Sequence, residues 1–230
     1  RIREITPISS NRTSMKRSIY SLIGLAVLSA SCSTFTDKEQ HSLPQEAVTA
    51  TIGVETRTMI GDKNGNAYKV VWNSGDQIII STGISSKDKA VYTTSDHGTP
   101  SASFYPEDKA ADFSNGAIAG YPVENMYLGA PDADKEVYFT IPQVQTYAPG
   151  SFDSGAMPMI SEITDKAELN FFNAAGVIRL MLSTELQGIK VSSICLTTSG
   201  AIGGECGYIP QSRRIFFDDS MQSSNEVILD

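Results

Sequence analysis

The sequence is poor in the residues that most often carry out catalysis. It contains two histidines, His41 and His97, and three cysteines among 230 residues. No HExxH or CxxC motif occurs, so the patterns most typical of zinc sites are missing. His97 follows Asp96 in the turn-like stretch SDHGTP, where adjacent side chains point apart, so we expect a solvated loop histidine rather than part of a Ser-His-Asp triad. The sequence therefore predicts no enzyme, no metal site and no cofactor.

Positive charge is also scarce. The chain has 18 Lys and Arg against 26 Asp and Glu, which gives a net charge of -8 and a pI near 4.8. Such a surface repels phosphate backbones and anionic lipid headgroups. We therefore expect no nucleic-acid partner, and attachment to a membrane would need a local anchor.

Long hydrophobic runs are missing too. The uncharged run Ser18–Ser31 has 14 residues, fewer than the roughly 20 that a membrane-spanning helix needs. It follows the basic stretch Met15–Arg17 and ends in small residues, which is the order of an export signal. A buried core helix, the alternative, would carry polar positions every third or fourth residue. We predict that translation starts at Met15, that residues 1–14 are not native to the protein, and that residues 15–32 are the signal.

The first cysteine ends this run. LSASC, which ends at Cys32, resembles a bacterial lipoprotein signal, in which the cysteine after the cut receives acyl chains and anchors the protein in the membrane. Ser29 stands where leucine is usual, and an ordinary secretory signal cut nearby is the alternative. Residues 33–46, STFTDKEQHSLPQE, are polar and contain a proline, which predicts a flexible tether.

Short β-type runs follow the tether. AVTATIGVET alternates, with Val48, Ala50, Ile52 and Val54 on one face. The later runs are bounded by turn-forming residues: AYKVVW, DQIIIST, KAVYTT, GAIAGYPV, EVYFTIP, AELNFF, GVIRLMLS, IKVSSICLTT, RIFF and NEVILD. Because no long 3.6-residue period separates them, they predict an all-β fold, an antiparallel β-sandwich.

Two stretches that contain glycine are interpreted as turns. Asn64–Gly65 is the dipeptide that two-residue hairpins favour. SGAIGGECG, residues 199–207, lacks the Gly-Lys-Ser/Thr ending of a phosphate-binding loop and predicts a tight turn between strands.

Four aromatic residues are assigned to the core or to the surface from their sequence context. Trp72 ends an apolar strand, which favours a place in the core. Tyr121, Tyr127 and Tyr147 lie in turn-rich segments and are candidates for exposed rings that bind glycan.

The second and third cysteines leave two alternatives open. Cys195 and Cys206 would form a disulfide in an oxidising compartment if their geometry allowed it. Cys195 lies in an apolar run, where a small buried thiol is equally expected.

Four segments in a fixed order carry a resemblance to a known family. They are TRTMIGD, WNSGDQIII, YFTIPQVQTYAPGSFDSGAMPMI and LNFFNAAGVIRLMLS...IKVSSICLTTSGAIGGECGYI. In this order, over most of Thr56–Ile209, the chain resembles the fimbrillin-like family of Bacteroidales surface proteins, which are related to type V pilus subunits. The resemblance implies a lipoprotein precursor with two β-sandwiches of transthyretin-like or Greek-key type. The first would span residues 47–165, and residues 167–230 would begin an incomplete second one.

The resemblance also implies a processing step. In pilus-forming members an arginine-specific protease removes the first strand, and the groove left behind accepts a strand from a neighbouring subunit. The donor strand forms hydrogen bonds with the unpaired backbone groups and fills the apolar groove with its side chains. Arg57 directly follows the alternating strand, so a cut after it would release Val48, Ala50, Ile52 and Val54 together. The alternative is that Arg57 is a solvated charge and the strand stays.

Two functions follow from these observations. The first is a lipid-anchored precursor of a fimbrial subunit or tip adhesin at the cell outer membrane, with other fimbrial subunits as partners and a host or bacterial surface ligand. The second is a surface lipoprotein that does not polymerise and binds glycan or a host protein.

Overall fold

The computed structural model describes most of the chain from Ala47 onward. Cys32, Val54, Arg57 and the Asn64–Gly65 hairpin lie outside the described residues, as do the export signal and the tether. The described residues all belong to the unit His41–Asp230. They are 47–53, 70–148, 151–178, 180–183, 185, 187–188, 190–217 and 219–230.

The described residues form fifteen short strands and four single-turn 3₁₀ helices, which confirms the all-β prediction. The 3₁₀ helices are Ser86–Asp88, Phe113–Asn115, Val123–Asn125 and Ser154–Ala156. The strands are β1 (Val48–Ile52), β2 (Gln77–Ser81), β3 (Lys89–Thr94), β4 (Ser101–Pro106), β5 (Ile118–Tyr121), β6 (Met126–Tyr127), β7 (Val137–Ile141), β8 (Val144–Gln145), β9 (Met159–Ser161), β10 (Glu168–Asn173), β11 (Ile194–Thr197), β12 (Gly203–Ile209), β13 (Arg214–Phe216), β14 (Ser223–Ser224) and β15 (Glu226–Leu229). Among these residues no helix has the length and apolar character needed to span a membrane.

Seven strands close into a barrel in the order β1-β10-β9-β5-β2-β3-β4. The ring closes at β1, which runs parallel to β10 on one side and antiparallel to β4 on the other. A five-stranded sheet has the order β13-β12-β7-β6, with β14 also paired to β12, and a three-stranded sheet has the order β11-β15-β8. A closed barrel leaves no strand with an unpaired edge, so β1 is hydrogen-bonded on both sides.

Two hydrophobic cores share the strands β5 and β9. Ala119 and Met159 belong to the core inside the barrel, whereas Ile118 and Ile160, their neighbours in sequence, belong to a second core. Side chains alternate along a strand, so β5 and β9 are buried on both faces. The second core also contains residues of β6, β7 and β12, among them Met126, Val137, Phe139, Ile141, Cys206 and Tyr208. The five-stranded sheet therefore packs against the outer face of the barrel.

One of the predicted elements is wrong, and another is right only in part. GVIRLMLS is not a strand within the described residues 176–178 and 180–183, and Ile178, Leu180, Met181 and Leu182 are exposed, Met181 by 82%. SGAIGGECG is a turn only in its first half: residues 199–202 connect β11 to β12, whereas residues 203–207 lie in β12, the strand that pairs with β7, β13 and β14. The glycines there allow close approach: a Cβ on Gly204 would lie 2.2 Å from the carbonyl oxygen of Gln222, and φ at Gly204 is +84°.

Backbone pairing crosses the predicted domain boundary near residue 166. β10, assigned from sequence to the second domain, pairs with β1 and β9 of the first. β12 pairs in the same way with β7. Residues 47–165 and 167–230 therefore share hydrogen-bonded sheets, and their division into domains stays a prediction.

Candidate functional site

The apolar face of β1 points into the barrel. Val48, Ala50 and Ile52 are buried, whereas Thr49 is exposed and Thr51 is half-buried. This is the alternation that the sequence pattern predicts for these residues, because successive side chains of a strand point to opposite faces. Removal of β1 would therefore take three buried side chains out of the first core.

The backbone of β1 is paired along both edges. Its register with β10 runs from Thr49 opposite Glu168 to Ile52 opposite Phe171, and β4 pairs along the other edge. At the two ends, the Thr49 N–H donates to the Ala167 carbonyl and the Ile52 N–H to the Pro100 carbonyl, each over 2.8 Å. Loss of β1 would leave unpaired backbone groups on both β4 and β10.

Trp72 fixes β1 from inside the barrel. Its indole N–H donates a hydrogen bond of 3.0 Å to the Ala50 carbonyl, and its side chain is fully buried. Three rings meet the indole edge to face, with centroid distances of 5.0 Å to Phe104, 5.4 Å to Phe171 and 5.5 Å to Tyr121. These rings belong to β4, β10 and β5. The core position predicted for Trp72 is confirmed, and the indole contacts four strands of the barrel.

Tyr121 and Asp76 form a hydrogen-bonded pair beside Trp72. The Tyr121 hydroxyl donates to Oδ1 of Asp76 over 3.3 Å, and the Asn73 N–H donates to Oδ2 over 2.8 Å. Burial raises the pKa of Asp76, and burial followed by the nearby Asp76 charge raises the pKa of Tyr121. Both groups line a cleft of about 270 Å³. Tyr121 is half-buried and engaged with Asp76, so the expectation of an exposed ring is wrong for this residue.

Two of the other tyrosines do present exposed rings. Tyr127 and Tyr147 are exposed, as proposed for them. Tyr127 pairs across the β6–β7 ladder with Tyr138, and the two side chains are 61% and 40% exposed. In the same row Tyr138 pairs with Gly207, and the Phe216 ring lies over that glycine. This row could not be predicted from the sequence, because it depends on which strands are neighbours.

Cys195 and Cys206 are both free thiols, so they do not form the disulfide considered above. Cys206 is buried, its thiol donates to the Phe139 carbonyl over 3.4 Å, and burial raises its pKa to about 12. Cys195 is exposed, so the expectation of a buried thiol there is wrong. A thiol of such high pKa is unreactive, and Cys206 has the role of a small core residue.

His97 lies in an exposed loop, as expected from SDHGTP. Oδ2 of its neighbour Asp96 accepts a hydrogen bond of 2.8 Å from the Ser103 N–H. The Asp96 carboxylate is therefore bonded to the backbone. Within the part of the chain that the structure describes, no three His, Cys, Asp or Glu side chains are grouped so as to hold a metal ion.

Comparisons of the chain with protein-family models, with curated proteins and with solved structures find no match. The resemblance to the fimbrillin-like family stays a prediction from the sequence segments quoted above.

Proposed function

We propose that this chain is a lipid-anchored surface precursor of a fimbrial subunit or tip adhesin, which assembles by donor-strand exchange after its first strand is removed. The observation that carries the proposal is the place of β1. It is a five-residue strand with three buried side chains, paired along both edges. Its loss opens the barrel and creates a groove that combines apolar surface with unpaired backbone groups, the two features that a donor strand satisfies.

A tandem sandwich of transthyretin-like or Greek-key type is the finer fold that we propose for the whole protein. The second core supports it, because the five-stranded sheet faces the outer side of β5 and β9 across a buried apolar layer. Two sheets that face each other across such a layer are the basic arrangement of a sandwich.

The processing site in this proposal is Arg57, and the anchor is Cys32. Arg57 lies four residues after Gly53, the last described residue before the gap. A cut at this point would separate all of β1 from β2 and the rest of the barrel. Cys32 lies upstream of β1, so the same cut would free the subunit from its lipid.

Treatment of the full chain with an arginine-specific protease tests the assembly step. We expect cleavage after Arg57, followed by polymer ladders that resist heating in detergent. The Arg57→Gln variant is the control, because it keeps every other arginine and should give no ladder. Complete cleavage after Arg57 with only monomer on the gel would refute strand exchange.

Cell fractionation tests the anchor separately. The Cys32→Ala variant should move from the membrane fraction to the soluble or secreted fraction, because acylation at this residue is then blocked. If Cys32→Ala stays with the membrane, the proposed lipid anchor is wrong, whatever the result of the protease experiment.

The row of aromatic residues on the five-stranded sheet favours the second candidate, a surface lipoprotein that binds glycan and keeps β1. Exposed aromatic rings offer flat apolar faces with polar tips, and Tyr127 and Tyr138 lie side by side on adjacent strands. A glycan array with Tyr127→Ala and Tyr138→Ala, and with Tyr147→Ala as the exposed aromatic outside this row, tests it. Binding that is lost only in the first two variants would favour this function, and an array without any bound glycan would count against it.

A further inference from the structure

The groove that holds β1 is shaped around a small side chain at its centre. We propose that this groove selects an incoming strand by the central residue of that strand, a proposal that rests on the proposed function. It takes an extended segment with a small side chain at the position of Ala50 and larger apolar side chains at the positions of Val48 and Ile52. Trp72 is the specificity-determining residue.

Space at the centre of the groove is limited by the indole. The side chains of Ala50 and Trp72 are both 0% exposed, and the Ala50 carbonyl oxygen lies 3.0 Å from Nε1 of Trp72. Across the β1–β4 ladder Ala50 pairs with Ala102, a second small residue, which is also buried. Two buried alanines therefore lie side by side at the point where the indole of Trp72 is hydrogen-bonded to β1.

The indole is held in place on several sides. The rings of Phe104, Phe171 and Tyr121 contact the indole edge to face. The backbone N–H of Trp72 donates to the Thr99 carbonyl over 2.8 Å. Protein interiors are packed as densely as organic crystals, so an indole confined in this way cannot move aside for a larger neighbour. A branched side chain in place of Ala50 would overpack the core.

The hydrogen bond from Trp72 adds a requirement for register. Its acceptor is a backbone carbonyl, which any residue supplies, so the bond does not depend on the identity of the side chain. A slip of one residue along β1 would turn the apolar set toward solvent and the polar set inward. A donor that meets the indole correctly must therefore place its small residue at the site of Ala50.

The positions between the apolar ones make no such demand. Thr49 is exposed, and the Thr51 hydroxyl lies 2.9 Å from the Ser101 hydroxyl on the outer side of the barrel. We infer that the groove tolerates varied residues at these two positions. The partner is thus a segment with the pattern apolar-x-small-x-apolar, for which the resident strand VTATI is the template.

Peptide exchange into the cut chain tests the selection. The full chain, cleaved after Arg57, is incubated with fluorescent peptides of the sequence AVTATIG, residues 47–53, and exchange is measured by native gel and fluorescence anisotropy. The wild-type peptide and a peptide with the Thr49→Leu change should enter. A peptide with the Ala50→Val change should bind about tenfold more weakly or worse, because overpacking of a core opposes it.

Variants of the intact chain test the same pocket without any exchange. Ala50→Val should lower the Tm by roughly 2 to 12 °C, whereas Thr49→Leu, which adds bulk on the outer face of the same strand, should change it by less than about 2 °C. In a Trp72→Phe background, where the ring is smaller, the loss of Tm caused by Ala50→Val should shrink to less than half.

The outcomes separate the selection from the proposed function. If the wild-type peptide never enters the cleaved chain, strand exchange is wrong, and the selection of a donor falls with it. If the wild-type and Ala50→Val peptides enter equally well, exchange stands and the selection is wrong. An Ala50→Val chain as stable as the wild type, or equally destabilised with and without Trp72, also overturns the role assigned to the indole.

Discussion

The indole N–H of Trp72 and the backbone carbonyl of Ala50, 22 residues apart in sequence, share a buried hydrogen bond of 3.0 Å. Trp72→Phe removes the donor and leaves a smaller ring. We expect the free energy of unfolding to fall by about 1–3 kcal/mol, from the lost hydrogen bond and the space left by the smaller ring. Urea denaturation measures the change.

Hydrogen exchange distinguishes local from general loosening in that variant. Because the lost bond belongs to β1, the amides of Thr49 and Thr51 should exchange faster in Trp72→Phe, with a smaller change in β12. An equal increase throughout the chain would contradict a specific contact between Trp72 and β1.

Asp76 is expected to make stability depend on pH. Its pKa in the folded chain is raised above 3.8, mainly by burial, so folding favours the protonated carboxyl. The folded state therefore gains stability as the pH falls through the window between the raised pKa and about 3.8 and loses it as the pH rises. Asp76→Asn should remove this dependence while keeping an acceptor for the Asn73 N–H.

The Tm of the wild type and of Asp76→Asn, measured from pH 3 to pH 8, checks this. The Tm of Asp76→Asn should increase relative to the Tm of the wild type as the pH rises through the window above 3.8. A difference that is the same at every pH would show that ionisation of Asp76 does not contribute.

The two described thiols should differ sharply in reactivity. At pH 8 a thiol reagent should label Cys195 in the folded chain and Cys206 only after unfolding, because Cys206 is buried and has a pKa of about 12. Peptide mapping by mass spectrometry locates the label, and Cys195→Ser serves as the control. Labelling of Cys206 at the rate of Cys195 in the folded chain would mean that the second core opens readily.

Arg213 combines an unusual backbone conformation with side-chain contacts to Phe172 and Glu162. Its φ is +51°, its guanidinium lies 3.6 Å from the centroid of the Phe172 ring, and it pairs with Glu162 over 2.9 Å. Arg213→Ala loses both contacts and keeps the strained φ, whereas Arg213→Gly loses the contacts but relieves the strain. We expect Arg213→Ala to be the less stable of the two by about 0.5–1 kcal/mol.

Urea denaturation of these two variants and of Arg213→Lys checks the account. Lysine keeps the charge without the planar group that stacks on an aromatic ring, so Arg213→Lys should be less stable than the wild type. If Arg213→Gly proves less stable than Arg213→Ala, then the positive φ at residue 213 does not lower the stability of the folded chain.

Elements with strong local patterns could be predicted from the sequence. β1, β2, β3 and β7 lie within predicted runs, and β10 extends one residue beyond AELNFF, because each combines β-branched or aromatic residues with one buried face. β4 was missed, since SASFYP has few of these residues and takes its stability from β1 and β3 on either side. GVIRLMLS was predicted as a strand, but its described residues do not form one. Local apolar character alone does not make a strand, because a strand also needs neighbours to pair with.

The arrangement around β1 could be predicted only in part. Alternation placed Val48, Ala50 and Ile52 on one face, and an apolar context placed Trp72 in the core. β1 is held in the barrel, where its Ala50 meets Trp72, partly by parallel pairing with β10, a strand more than a hundred residues away in sequence. No local period encodes a pairing over that distance, so neither the closure of the barrel nor the contact could be derived from the pattern.

β5 and β9 carry side chains of both cores on opposite faces. Neither core can melt without removing the support of the other, so the barrel and the five-stranded sheet form one cooperative unit. Calorimetric and van't Hoff enthalpies of unfolding should accordingly agree for this part of the chain. β1 is separated from β9 by β10 alone, so a disturbance at β1 is expected to reach the tyrosines of β6 and β7 through β9 and β5.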